Sequence, residues 1–290
     1  MSVSNALYPC LQRAMVERPA GYHVYCMVDL AALTHTGTVA QMHAHIRSNG
    51  GVSLLRDERP EALHATPWLV CMGDGDMSVW VSRTCGWAMQ GPAVTWVVSP
   101  LSLPDLAERL WRRTEAELPE HYPVLLRYFD PRVLPELLQT LPPSQRERFL
   151  ALGSEWLYPD REQRLQRIAL SDPKDSDDFE GPLRLDAQQF SQLLCAAEID
   201  QVMPELARAA PVEFMALSVT QRLNLTRDCL SLASTWGVDG LADKVMVGVL
   251  SLKLGNEFHR LPNWAPWIHA LTQQRMSFLQ VIERATQGEM

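Results

Sequence analysis

The position of the strand-like runs constrains the fold of this chain more than any other feature. Short runs rich in β-branched and aromatic residues are confined to the first 170 residues, where they alternate with helical patterns. The predicted strands are YHVYCMVDL (22–30), PWLVCM (67–72), AVTWVV (93–98) and PVLLRYF (123–129), followed by an antiparallel pair, EWLYPD and LQRIAL, at the sheet edge. Helices are predicted near 38–48, near 76–88, and along the apolar stripe from Leu103 to Leu118, with Ser102 and Asp105 at its start. In the second of these, Val79, Trp80 and Val81 would equally suit a strand. Such alternation is typical of an α/β layer structure.

The pattern changes after an acidic, proline-containing stretch, SDPKDSDDFEGP (171–182), which has no apolar periodicity and is typical of a linker. From Leu183 onward there is no convincing strand. Helices are predicted at the capping-box pairs Asp186 with Gln189 and Ser218 with Gln221, and over about 240–254 and 266–285. We therefore predict an α/β N-terminal lobe with a mixed sheet and flanking helices over 1–172, an acidic linker over 173–182, and an all-α C-terminal lobe over 183–290.

Composition and charge exclude several classes of protein. The net charge of −8, with basic and acidic residues interspersed, argues against a nucleic-acid binder, which needs clustered Lys and Arg. Neither a signal peptide nor a membrane-spanning apolar run is recognisable, so we expect a cytoplasmic protein without a membrane partner. The six cysteines show no metal-ligand or disulfide spacing and are expected to be buried free thiols.

The densest group of candidate site residues is the run Arg127-Tyr128-Phe129-Asp130-Pro131-Arg132. Asp130 stands where a strand passes into a helix, a position that often carries catalytic groups in α/β folds. It is a candidate base or nucleophile of an α/β hydrolase, together with His23 or His121. The favoured interpretation is structural, with Asp130 as N-cap and Pro131 as the first helical residue. Arg127, within the predicted strand, lies either at a sheet end or against a carboxylate, and a pair with Asp130 or another acid is the favoured hypothesis.

Other motifs give no catalytic, cofactor-binding or metal-ligating residue. His43 and His45 are two apart on a predicted helix, where their side chains diverge. NEFH (256–259) lacks the second histidine of a zincin helix, and Gly73-Asp74-Gly75 lacks the rest of a phosphate loop. Trp264 and Trp267 lie in the proline-bracketed HRLPNWAPWIHAL, where they serve either core packing or binding of a partner.

Three segments, PLSLPDLAERL, PVLLRYFDPRVLPELLQTLPPSQRERFL and EWLYPD, resemble the central signature of the type VI secretion effector adaptors, also called effector chaperones. In that family a P-L-S-L-x-E-L segment leads into a strand, then into R-[FY]-[FY]-D-P-R-V-L, a leucine-rich helix and a glutamine-bearing turn. The matching positions here are Pro100 to Leu106, Arg127 to Leu134, and Gln145. YCMVDLA (25–31) is similar to the family's opening strand and GNEFHRLPNW to its C-terminal end. The departures are Asp105 in place of Glu, Pro135 within the helix, and a glycine delayed to Gly153.

The resemblance implies a non-enzymatic protein without a cofactor. Such an adaptor holds a toxic effector in the bacterial cytoplasm and loads it onto the spike of the secretion apparatus, either the valine-glycine repeat protein or its PAAR tip. Arg127, Tyr128, Asp130, Pro131 and Arg132 would then be structural or partner-binding, with Arg132 facing outward toward an acid on a partner. A purely structural subunit of the apparatus is a third possibility beside the adaptor and the hydrolase.

Overall fold

A computed structural model describes residues 4–36, 38–55, 66–73, 77–273 and 275–287. The chain divides into two compact units, Met1–Leu193 and Leu194–Met290. The strands are β1 His23–Asp29, β2 Val52–Ser53, β3 Pro67–Cys71, β4 Val94–Ser99, β5 Glu115–Leu118, β6 Tyr122–Leu125, β7 Glu155–Pro159, β8 Leu165–Ala169 and β9 Leu183–Arg184. The helices are α1 Ser4–Val16, α2 Val39–Ser48, α3 Met77–Ala88, α4 Leu103–Arg112, α5 Val133–Thr140, α6 Pro143–Phe149, α7 Ala187–Ala209, α8 Pro211–Ala216, α9 Val219–Trp236, α10 Leu241–Leu254, α11 Ala265–Thr272 and α12 Phe278–Gln287.

The first unit is built on a six-stranded sheet in the order β2-β3-β1-β4-β7-β8, with every neighbouring pair antiparallel. Its central strands β1 and β4 are buried on both faces, which explains why their sequences read as continuous apolar runs. Cys26 and Trp96 lie in a core that includes residues of α1, α2 and α3, whereas Met27 and Val97 lie in a core that includes residues of α4, α5 and α6. Helices therefore cover both faces of the sheet.

A second, smaller sheet pairs β5 antiparallel with β6 and parallel with β9. The fold class predicted from the sequence, a mixed-sheet α/β lobe followed by helices, is confirmed, as is the antiparallel edge pair β7 and β8. Two boundaries were wrong. The helix predicted to reach Leu118 ends at Arg112 because β5 begins at Glu115, and the strand predicted over 123–129 ends at Leu125 because the chain turns through Arg127 and Asp130.

The acidic stretch predicted as a linker packs on the first unit. Phe179 is buried in the same core as α4, α5 and α6, and Asp177 is paired with the buried Arg113. The absence of strands predicted from Leu183 onward was wrong, since Leu183 and Arg184 form β9. The division between the two units falls within α7, after Leu193.

The second unit consists of the C-terminal part of α7 and helices α8 to α12 around their own core. The predicted capping boxes at Asp186/Gln189 and Ser218/Gln221 are present, and α9 ends at Gly237 in the left-handed conformation. The helix predicted over 266–285 is instead two helices, α11 and α12. Within the part of the chain that the structure describes, no helix combines the length and apolar character needed to cross a bilayer.

Candidate functional site

The segments that carry the family resemblance are joined by hydrogen bonds between side chains and backbone. Tyr25 in β1 donates its hydroxyl to the Leu101 carbonyl at 2.6 Å. Tyr128 donates its hydroxyl to the Leu110 carbonyl of α4, also at 2.6 Å. The opening strand, the segment before α4 and the central motif are therefore held to one another within the first unit.

Arg127 is paired with Asp29, the last residue of β1. Its Nη2 donates to Asp29 Oδ2 at 2.5 Å, and Asp29 Oδ1 also accepts the Ala31 backbone N–H at 3.0 Å. The Asp29 side chain is 1% exposed and that of Arg127 is 46% exposed. Burial raises the pKa of Asp29, and the Arg127 guanidinium opposes that shift. The predicted carboxylate partner of Arg127 is thus present, and it is Asp29, not Asp130.

Asp130 is buried, and both of its carboxylate oxygens bind Arg132. Oδ1 accepts the Arg132 backbone N–H at 2.9 Å and Nε at 3.0 Å, while Oδ2 accepts Nη2 at 2.7 Å. The prediction that Asp130 is the N-cap was wrong, because α5 begins at Val133 with Arg132 in the cap position. Asp130 instead closes a turn three residues before the first residue of the helix, and its carbonyl accepts the N–H groups of Val133 and Leu134. Pro131 is buried within that turn, and Pro135 is tolerated because it lies in the first turn of α5.

Tyr128 and Phe129 fill the core beneath this turn. Tyr128 is fully buried and makes edge contacts with the rings of Phe129, Phe149 and Trp156 at centroid distances of 5.7, 5.5 and 5.6 Å. Burial raises the pKa of Tyr128 far above its ordinary value, so its hydroxyl remains a hydrogen-bond donor. Both aromatic residues of the motif therefore have packing roles.

Arg113, just after α4, is an important residue that sequence reasoning missed. Its side chain is fully buried, and all five guanidinium N–H groups are used. Two bind the Asp177 carboxylate at 2.8 and 3.0 Å, and three bind the carbonyls of Phe149, Arg109 and Arg148. The Phe179 ring lies 4.6 Å from Cζ. The only sequence signal was an acid in a stretch that resembled a linker.

The two histidines considered as partners of Asp130 are placed elsewhere. His23 is exposed at the start of β1, and His121 lies in the connection between β5 and β6 with Nδ1 3.4 Å from Glu117 Oε2. Within the described ranges, no hydrogen bond or ion pair joins either histidine to Asp130. The pairing of Asp130 with His23 or His121 that the hydrolase hypothesis names is therefore not found among the described residues.

His43 and His45 diverge on α2, as predicted. His43 packs on Trp68 at 4.8 Å, whereas His45 lies 5.0 Å from the Trp80 ring and contacts Arg83. Among the residues that the structure describes, no three His, Cys, Asp or Glu side chains form a group that could hold a metal ion. All six cysteines are free thiols, but the expectation that they are buried was wrong for Cys10 and Cys195, which are exposed.

Trp264 and Trp267 differ in burial. Trp264 is 2% exposed and makes an edge contact with Phe258 at 5.1 Å, which places it in the core of the second unit. Trp267 is half-buried against the same core. Of the two roles considered for these tryptophans, core packing describes the position of Trp264.

Residues 24–148 match a family model whose description is "Domain of unknown function (DUF4123)". The matched range covers fewer than half of the 290 residues, and it contains Asp29, Arg113 and the complete run from Arg127 to Arg132. No curated protein and no solved structure matches the chain.

Proposed function

We propose that this chain is a cytoplasmic, non-enzymatic adaptor that binds a type VI secretion effector and loads it onto the spike of the secretion apparatus. The observation that carries the proposal is the match of residues 24–148 to a family associated with type VI effector adaptors. That range includes the segments whose sequence resembles the adaptors, from YCMVDLA in β1 to the glutamine at position 145.

The geometry of the motif supports a structural and binding role for its residues. Asp130 is the residue on which the hydrolase hypothesis depends, and Arg132 neutralises it through two hydrogen bonds to the guanidinium. Tyr128 and Phe129 are enclosed in the core. Gln145, the glutamine of the family pattern, donates to the Arg184 carbonyl at 3.3 Å and thereby links α6 to β9. The motif therefore fixes the backbone of the first unit and leaves parts of two arginines exposed.

The proposal is tested by secretion. A tagged form of the chain, purified from its own bacterium, is expected to bring down a protein that mass spectrometry identifies as a secreted toxin, together with a spike component. Deleting the gene should abolish export of that toxin while leaving its synthesis intact. Normal export after deletion would reject the proposal, and recovery with the baseplate or sheath in the absence of any toxin would favour a structural subunit.

Asp130→Asn separates the adaptor from the hydrolase. As an adaptor the variant should unfold at a lower temperature, because a buried residue loses its charge-assisted bonds to Arg132. A hydrolase with this geometry should show the same loss of stability and should in addition lose turnover, which an adaptor does not have. A hydrolysis assay of wild type and variant at a temperature where both are folded, combined with the export assay, distinguishes the two outcomes.

A further inference from the structure

The chain that leaves β6 exposes two side chains on one side. Leu125 is 50% exposed and the Arg127 side chain 46% exposed, whereas Leu126 between them is buried. β6 ends at Leu125, but exposure continues to alternate along Leu125, Leu126 and Arg127, as it does where successive residues point to opposite faces, which places Leu125 and Arg127 on the same side. The backbone N–H of Leu126 donates to the Thr114 carbonyl at 2.7 Å and fixes this orientation. These two side chains are termed the Leu125–Arg127 surface.

Asp29 and the Phe129 ring fix the position of the Arg127 guanidinium. One of its N–H groups binds the buried Asp29 carboxylate, and Cζ lies 5.9 Å from the Phe129 ring. Over the ranges that the structure describes, the bond to Asp29 is the single hydrogen bond of this guanidinium, which has five N–H donors. The remaining donors are therefore available on a side chain whose position is already fixed.

Fixing a side chain in advance lowers the entropic cost of binding. The exposed ion pair between Arg167 and Glu155 makes the contrast clear. Its two side chains are 40% and 33% exposed, so neither is anchored in the core. Arg127 has a similar exposure but is anchored on a carboxylate that is 1% exposed. Arginine is among the residues enriched at the energetic centres of protein interfaces, and burial of the exposed apolar side chain beside it would add hydrophobic contact area.

We propose that the Leu125–Arg127 surface docks the effector: Arg127 binds an acidic side chain of the effector through two N–H groups, and Leu125 contacts an apolar side chain beside that acid. This inference rests on the proposed function and names the chemistry of its partner. A carboxylate fits because the planar fork of a guanidinium binds two oxygens at once, which an ammonium cannot reproduce.

Arg127→Lys provides the test, because lysine keeps a positive charge for Asp29 but has no planar fork. The binding partner is the toxin identified in the export experiment, and its affinity for the full chain is measured by calorimetry at low and moderate salt. We expect an unchanged unfolding midpoint and binding weakened about tenfold or more, with a salt dependence like that of wild type because the charge is kept while the planar fork is lost. Arg167→Lys, of similar exposure on β8, is the matched control and should bind like wild type.

Leu125→Ser keeps the proposal testable if Arg127→Lys does not fold. Leu125 is half exposed, so the serine variant should fold and still bind the toxin about tenfold more weakly. Wild-type affinity in either folded variant would overturn the proposal, as would loss of spike binding with toxin binding intact. If the wild-type chain itself binds no secreted toxin, the proposed function and this inference both fall. If instead the wild-type chain binds the toxin and the variants bind it equally well, only this inference fails and the proposed function stands.

Discussion

Arg113 and Arg127 use the same side chain in two different ways. Arg113 is fully buried, and its charge is balanced by Asp177 while three carbonyls take its other N–H groups. Arg127 balances the charge of a buried acid, Asp29, but its side chain is half exposed, and among the described residues only one of its guanidinium N–H groups is hydrogen-bonded. A buried ion pair is stable only when its hydrogen bonds are complete, which holds for Arg113. We therefore assign Arg113 to the fold, whereas Arg127 contributes to the fold and carries the partner-binding role proposed above.

Asp177→Asn is expected to lower the free energy of unfolding of the first unit by about 3 kcal/mol or more, because it leaves the Arg113 charge buried without a counter-ion. Urea denaturation, followed by amide hydrogen exchange in β5 and β9, measures the loss. Asp178→Asn is the control, since the pair of Asp178 with Lys174 is exposed, and it should leave the midpoint unchanged. Equal midpoints for the two variants would contradict the importance of the buried pair.

The Asp29–Arg127 pair predicts a dependence of stability on pH. The folded pKa of Asp29 is raised above the ordinary value of about 3.9, so the folded state binds more protons than the unfolded state above that pH. The stability that the folded state gains from holding protonated Asp29 is therefore lost as the pH rises through the raised pKa. Arg127→Ala removes the group that lowers the pKa, so its free energy of unfolding should fall more steeply between about pH 4 and 7 than that of wild type.

Chemical denaturation at a series of pH values measures these slopes. Asp29→Asn in the Arg127→Ala background removes the titrating group and should abolish the additional slope. Asp130, whose charge also acts on Asp29, is unchanged in every variant. Parallel curves for wild type and Arg127→Ala would show that the guanidinium does not influence the carboxyl.

At the scale of the elements, the connection into β7 depends on a close approach of two backbones. Gly153 precedes β7, and a Cβ atom at this position would lie 2.1 Å from the Val98 carbonyl oxygen of β4 and 2.9 Å from Ser99 Cα. Ser154 immediately follows and donates its N–H to the same Val98 carbonyl at 2.9 Å. The glycine is therefore required for the pairing of β4 with β7, since backbone atoms cannot move aside as a side chain can.

Gly153→Ala should accordingly destabilise the first unit by roughly 1–3 kcal/mol, the usual cost of overpacking. Gly86→Ala is the matched control, because Gly86 lies inside α3 with no atom within 4 Å of the added methyl group. That change should stabilise by roughly 0.5–1 kcal/mol through helix propensity. The melting temperatures of both variants test this prediction. Equal changes in the two variants would show that the close approach of Gly153 to the Val98 carbonyl does not restrict the side chain at position 153.

Across the whole molecule, each of the two units has its own hydrophobic core. The buried members of the first unit's core clusters extend no further than Leu185, and those of the second unit's core cluster begin at Val202. Substitutions in one core are therefore expected to act on the stability of that unit.

Trp264→Ala tests this expectation. Loss of a buried indole typically costs about 3–5 kcal/mol, and here it should lower amide protection in α9 and α10 while leaving β1, β3 and β4 protected. Trp267→Ala, at a half-buried position, should have a smaller effect. Equal loss of protection in the strands of the first unit would show that the two cores unfold as one.

The local features of the sequence predicted most of the elements correctly. β1, β3, β4, β7 and β8 were recognised from apolar runs, and α2, α4 and α9 from periodicity and capping residues. The errors lie where local signals conflict. The apolar stripe of α4 continues into β5, and Asp130 with Pro131 predicted a helix start that the structure instead places at Val133. A stretch as short as β9 carries no periodicity of its own, since it exists only through pairing with β5.

The sequence by itself determined the order and type of these elements and predicted an acidic partner for Arg127, because periodicity, caps and charge act between near neighbours. Only the tertiary structure decided that this partner is Asp29, which lies 98 residues from Arg127. Only the tertiary structure likewise showed that Arg113, which the sequence did not single out, pairs with Asp177 at a separation of 64 residues. Asp29 ends strand β1, and Asp177 lies in the acidic stretch 171–182. Each acid reaches its arginine only when that segment packs against the segment that carries the arginine, and burial of the whole core determines this packing.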